Sequence, residues 1–146
     1  MIKYRQGNLL DVTEGVIIHG CNAQGVMGSG VALAIKNKWP KAYDAYKGFE
    51  KNRGLRLASI SMCRVANLLY IANLVTQENY GRDPKVRYVS YGAIHLGFEK
   101  LNDSYPEDTP FHFPKIGAGL GNGKWEDIST LIEFACPTRE LICWEI

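Results

Sequence analysis

His19 closes a β-branched run, two residues before Cys21 and three before Asn22. An imidazole in such a place can be a nucleophile or a general acid, because its ordinary pKa near neutrality makes both protonation states accessible. The same ring can instead be a buried structural group bonded to backbone. Asn22 can hold a ligand hydroxyl through its amide, or organise a turn as an Asx motif.

Glycine is placed more tellingly. One cluster, residues 20–30, contains Gly20, Gly25, Gly28 and Gly30, with Ser29 and then Val31 at its end. A second runs Ile116, Gly117, Ala118, Gly119, Leu120, Gly121, Asn122, Gly123. Each follows a predicted strand and precedes a predicted helix. Glycine tolerates positive φ and lets backbone N–H groups come close to a ligand. The helix start that follows offers unpaired N–H donors and a partial positive charge, so each loop is a candidate phosphate cradle. Tight turning alone would also explain either cluster, but two in equivalent places favour a ligand gripped from both sides.

The elements needed to hold these loops are short and alternate between strand and helix, which implies an α/β layered fold. Residues 16–19 read as a buried strand. Val31, Ile35 and Trp39 recur at helical spacing, and Pro40 ends that helix and can open the next. Residues 57–62 and 68–75 read as two strands. Val86, Val89, Ala93, Leu96 and Leu101 fit one face of a helix. Residues 111–113 form a short strand, Trp125 to Ala135 carry a further helical pattern, and residues 141–144 form a final strand.

The composition narrows the function classes. The 146 residues are 46% hydrophobic and 22% charged, with net charge +2. One domain spanning 1–146 is expected, with no strong nucleic-acid signal and no membrane-spanning run. The N-terminus lacks an apolar signal core, so a cytoplasmic monomer is expected. The four cysteines, Cys21, Cys63, Cys136 and Cys143, form no C-x-x-C pair, and no metal site or cofactor is implied. Gly25 to Gly30 miss the dinucleotide-binding spacing G-x-G-x-x-G. Gly123-Lys124 resembles a P-loop only superficially, because Ala118 replaces its first glycine and Trp125 its Ser or Thr.

Taken in order, these segments resemble the macrodomain family. The likeness covers nearly the whole chain: Gly7-Asn8-Leu9-Leu10, Ile18-His19-Gly20-Cys21-Asn22, residues 25–32, Tyr70 to Gln77, Pro114 to Gly121, and the last strand with Trp144. The subgroup most resembled contains ADP-ribose-1''-phosphate phosphatases and macrodomains that remove ADP-ribose from proteins or DNA. The resemblance implies a three-layer α/β/α fold with a mixed central sheet, and ADP-ribose or ADP-ribose 1''-phosphate as ligand. It implies that Gly28, Ser29, Gly30 and Val31 surround the distal ribose and a phosphate, with Asn22 on that ribose. Gly20, Thr76 and Gln77 would join them, and Ile116, Gly117, Ala118, Gly119, Leu120 and Gly121 would cradle the diphosphate. Asn8 and Leu9 would meet the adenine and Trp144 would stack on it, with His19 and Asn22 as catalytic residues. Ser29 can equally be a helix cap, and Trp144 a core aromatic.

Three positions depart from the family pattern. Asn8 stands where many members have Asp, though its amide oxygen can still accept from an adenine amino group. Gln77 stands where the ADP-ribosyl hydrolases use a lysine, and an amide cannot form a Schiff base. Gly121 stands where some of those hydrolases have Asp. Dephosphorylation of ADP-ribose 1''-phosphate is therefore the leading expectation. The alternatives are an ADP-ribosyl hydrolase acting on modified protein or DNA, and an ADP-ribose reader without chemistry. The polar loop 77–84 could cover the distal ribose, and Arg82 and Lys85 could attract a terminal phosphate.

Overall fold

The computed structural model describes residues 1–145. In chain order the elements are β1 (Ile2–Gln6), β2 (Gly15–Asn22), α1 (Gly30–Lys38), α2 (Pro40–Arg53), β3 (Ile60–Ala66), β4 (Leu69–Gln77), α3 (Tyr91–Ser104), β5 (Phe111–Phe113), α4 (Trp125–Ala135) and β6 (Leu141–Glu145). They form a six-stranded sheet of order β1-β6-β5-β2-β4-β3. All neighbours are parallel except the β3–β4 hairpin. This is the expected mixed sheet in a three-layer α/β/α arrangement.

Central β2 shows why the sequence folds this way. Val16 and Ile18 point into the core shared with α3 and α4, whereas Ile17 packs with Ile35 and Ala42 of α1 and α2. A strand covered on both faces reads as a continuous apolar run. β2 extends to Asn22, so His19 lies inside the strand rather than at its end.

Two expectations need correction. β1 is a strand that the residue pattern did not announce. It is an edge strand in which only Ile2 is buried, so it carries no apolar alternation. The helix expected to include Val86 and Val89 starts at Tyr91, where the Ser90 hydroxyl caps it by accepting from the Ala93 N–H at 3.1 Å. Its inward face is Ala93, Ile94, Gly97, Phe98 and Leu101, and Leu96 points outward. Tertiary packing and the cap set the helix start, not the spacing of apolar residues upstream.

The approach to β5 is held by Arg139. Its guanidinium is buried and donates to the carbonyls of Asn102, Tyr105, Pro106 and Thr109 and to Asn102 Oδ1. It also lies 4.2 Å from the centre of the Phe111 ring. Because β5 leads directly into the second glycine loop, this clamp fixes where that loop begins.

α3 approaches the sheet closely at Gly97, where an added Cβ would collide with the Leu74 methyl carbons and lie 3.0 Å from its Cγ. Gly97→Ala is expected to lower unfolding stability by roughly 1–3 kcal/mol through overpacking. Urea denaturation checks this, and an unchanged midpoint would contradict the packing described.

Candidate functional site

Parallel strands β2, β4 and β5 end side by side, and the loops that leave them enclose one cavity of about 620 Å³. Ligands of open α/β sheets bind at this carboxyl edge. The β2–α1 loop supplies Gly28, Ser29, Gly30 and Val31. The β4 end and the loop after it supply Thr76, Gln77, Tyr80 and Arg82. The β5–α4 loop supplies Ile116, Gly117, Gly119, Leu120 and Gly121. His19, Gly20 and Asn22 of β2 also line it.

The two glycine loops thus line one cavity, as their equivalent places between strand and helix imply. Within the second, Gly123 N–H donates to the Gly117 carbonyl at 2.7 Å and Asn122 N–H to the Gly119 carbonyl at 3.0 Å. Among the described residues the N–H groups of Gly117, Gly119, Leu120 and Gly121 have no acceptor. In the first loop Ser29 is the N-cap residue of α1, but its hydroxyl makes no capping bond. The hydroxyl is left over the cavity beside the free N–H groups of the first helical turn. Thr76 is nearly buried, and its hydroxyl has no bonded partner among the described residues.

The three loops brace one another. Ala23 N–H donates to the carbonyls of Gln77 and Glu78, and Gln24 Nε2 to the Glu78 carbonyl. The Gly121 carbonyl accepts from both Tyr88 and Val89 N–H, at 2.9 and 3.1 Å. Glycine is required at two of these points. Gly117 has φ +77°, and a Cβ on Gly20 would lie 2.7 Å from Thr76 Oγ1.

Asn22 serves the loop itself. Its Nδ2 donates to the Val26 carbonyl at 2.8 Å, and its Oδ1 accepts from Gln24 N–H at 3.0 Å. The Tyr46 hydroxyl of α2 donates to the Asn22 carbonyl at 2.5 Å. The amide expected on the distal ribose lines the cavity and also shapes the turn.

His19 is buried, and its Nε2 lies 2.6 Å from Asn73 Oδ1. Asn73 Nδ2 donates to the Ala42 carbonyl and to Ser61 Oγ. With both amide hydrogens directed there, Oδ1 must accept. Nε2 therefore carries the proton, and Nδ1 keeps its lone pair, with Cys21 Sγ 3.8 Å away. Burial pushes the imidazole pKa down to about 4, against a smaller upward pull from Asn73. The expectation that both protonation states are accessible near neutrality is thereby corrected, since removal from water penalises the charged form.

Four expected contacts lie elsewhere. Leu9 is part of the hydrophobic core. Ala118 is half-buried in the second loop but does not line the cavity. Asn8 and Trp144 line a separate, shallower hollow with Arg5 and His112. Asn8 Oδ1 accepts from Leu10 N–H at 2.9 Å, and the Trp144 indole N–H donates to His112 Nδ1 at 3.0 Å.

Sequence reasoning did not single out Asn73, Tyr46 or Lys115. Asn73 offered a signal, as a polar residue in the otherwise apolar LYIANLV run. Lys115 lines the cavity, and among the described residues no lining side chain is a carboxylate. All four cysteines are free, and among the described residues no group of three or more His, Cys, Asp or Glu could hold a metal ion. No helix among them is long and apolar enough to cross a membrane.

No protein-family model matches the chain. Over 133 residues it is 28% identical to a DNA ADP-ribosyl glycohydrolase of Mycobacterium bovis, covering 88% of this chain and 36% of that protein. The chain thus spans about a third of the length of that relative. It is 25% identical to an ADP-ribose 1''-phosphate phosphatase of Meyerozyma guilliermondii, covering 90% of this chain and 92% of the relative. The macrodomain of Thermus aquaticus DarG superposes with a TM-score of 0.80 at 24% identity, covering 100% of this chain and 99% of that one.

The lowered His19 pKa makes stability depend on pH. The unfolded chain, with an imidazole near its ordinary 6.5, binds more protons than the folded chain between about 6.5 and 4. Stability is therefore full above that window and falls as the pH drops through it, by on the order of 3 kcal/mol. His112, also lowered chiefly by burial, acts in the same sense. Urea unfolding at neutral pH and at pH 4 should show this loss, reduced in His19→Gln. Equal losses in both proteins would contradict the buried neutral imidazole.

Proposed function

We propose that this chain, a macrodomain by its fold, binds ADP-ribose and removes the terminal phosphate of ADP-ribose 1''-phosphate. The observation that carries the reading is that Gly117, Gly119, Leu120 and Gly121, whose N–H groups have no acceptor among the described residues, line one cavity together with the first turn of α1. Donors in that arrangement suit a diphosphate, and the absence of carboxylates among the lining residues removes like-charge repulsion. The 25% identity to a phosphatase over most of both chains points the same way.

The ligand then lies along the sheet order. Its adenosine half is directed toward Asn8 and Trp144, beyond the ends of β1 and β6, and its diphosphate sits on residues 116–121. Its distal ribose lies among Gly20, Gly28, Ser29, Gly30, Val31, Thr76 and Gln77. Asn8 Oδ1, already accepting from Leu10 N–H, has a second lone pair for the adenine amino group. Asn22 acts by holding the first loop in shape.

His19 is neutral at physiological pH, so it enters as a nucleophile rather than as a general acid. Its Nδ1 lone pair attacks phosphorus. The bond from phosphorus to the ribose oxygen breaks, and that oxygen leaves with the electron pair and takes a proton from solvent. Water then hydrolyses the phosphohistidine. The Asn73 bond to Nε2–H orients the ring for this role.

Kinship with a relative named as a DNA ADP-ribosyl glycohydrolase supports a second reading, hydrolytic removal of ADP-ribose from modified DNA or protein. With Gln77 in place, that reaction would proceed without a covalent lysine.

Incubation with ADP-ribose 1''-phosphate and with ADP-ribosylated DNA and protein, assaying phosphate and free ADP-ribose, separates these readings. Phosphate release is expected, falling as the pH drops toward about 4. His19→Ala should slow it by ~10²- to 10⁴-fold, the usual range for a lost proton-transfer group and a floor for a lost nucleophile. ADP-ribose affinity should stay within a few-fold. Unchanged turnover in that variant would remove His19 from the chemistry. Free ADP-ribose released from DNA or protein without phosphate would select the second reading, and binding with neither product would leave a reader.

A further inference from the structure

Two cations face the cavity, and they differ in what holds them. Lys115 Nζ has Glu145 Oε1 3.6 Å away. Arg82 faces the cavity from the loop after β4, and its guanidinium forms no ion pair and no hydrogen bond among the described residues. An unpartnered arginine on a surface loop is ordinary, but this one is carried on a braced arch. On one side Gln77 Nε2 donates to the Asn79 carbonyl at 2.8 Å. On the other, Asn122 Nδ2 donates to the carbonyls of Asp83 at 2.9 Å and Val86 at 2.6 Å. At the crown Gly81 lies against the Tyr88 ring, where an added Cβ would collide with the phenol oxygen. Asp83, the acidic neighbour that could neutralise Arg82, has its Oδ1 engaged by Lys85 N–H at 2.9 Å. Lys85, on the same loop, does not line the cavity.

The sheet order gives this arch its place along the ligand. Lys115 follows β5, on the side of β6 and β1. Arg82 follows β4, on the far side of β2. A molecule laid across the strand ends with its adenosine toward β1 and β6 brings its terminal sugar to the Arg82 side.

We propose that Arg82 is the selectivity residue of this cavity. It binds an anionic group on the terminal ribose, so that the site prefers ADP-ribose carrying a terminal phosphate over ADP-ribose itself. This rests on the proposed ADP-ribose site and adds to it the group that distinguishes its ligands. A guanidinium suits the task because it presents paired N–H donors to phosphate oxygens and stays charged at all relevant pH values.

Calorimetric titration with ADP-ribose and with its non-hydrolysable 1''-phosphonate analogue tests this in the intact chain. The wild type should bind the phosphonate about tenfold or more tightly than ADP-ribose, as one strong charge-assisted contact allows. Arg82→Gln should bring that ratio close to one while ADP-ribose affinity changes less than about threefold. Arg82→Lys should keep part of the ratio, and Lys85→Gln all of it. Equal weakening of both ligands by Arg82→Gln would place the guanidinium on the diphosphate and overturn the assignment, as would a ratio that Arg82→Gln leaves intact. A wild type that binds neither ligand would overturn the proposed ADP-ribose site and this assignment together.

Discussion

Backbone N–H groups left without acceptors at the carboxyl edge of a parallel sheet are the constraint on which the rest of this molecule depends. Such donors are costly if buried and useful only if held in place. Here they remain open to the cavity while the loops bearing them are tied together. The Gly121 carbonyl takes two N–H bonds from residues 88 and 89, and the Asn122 side chain reaches back to residues 83 and 86. On the opposite side Asn22, Tyr46 and Ala23 hold the first loop. The polar side chains around the cavity thus serve mainly to keep main-chain donors pointed at one volume.

That division of labour leaves few groups free to react. Asn22 spends its amide oxygen and one amide hydrogen on its own loop. Asn73 fixes the proton of His19 on Nε2, and burial keeps the imidazole neutral against the smaller upward pull of that bond. Without a carboxylate among the lining residues, acid–base chemistry at the distal end has no carboxyl group to use, and His19 is the one imidazole in the lining. A positively biased cavity with a single neutral base suits phosphate esters better than substrates that need a strong general acid.

Much of this was legible in the residues. The two glycine clusters, the strand–loop–helix setting of each and the Pro40 break between α1 and α2 are local signals, and local signals survive into the fold. What was not legible depended on partners far along the chain. β1 is a strand because β6 pairs with it, and nothing in residues 2–6 alternates. Arg139 is a buried clamp because carbonyls more than 30 residues earlier converge on it. His19 has its proton fixed on Nε2 by Asn73, which is 54 residues away. Trp144 shows the same dependence, since its indole N–H is bonded to His112, 32 residues away, which sets the ring in a hollow apart from the main cavity.

The central claim is that main-chain amides, rather than charged side chains, form the grip on a diphosphate. Amide proton–nitrogen correlation spectra recorded during an ADP-ribose titration address it directly. The account predicts large, saturable shifts for Gly117, Gly119, Leu120 and Gly121 together with those of residues 28–32, because a new acceptor would reach donors that now lack one. Saturation with those resonances unmoved, or shifts confined to the hollow around Arg5, His112 and Trp144, would contradict it.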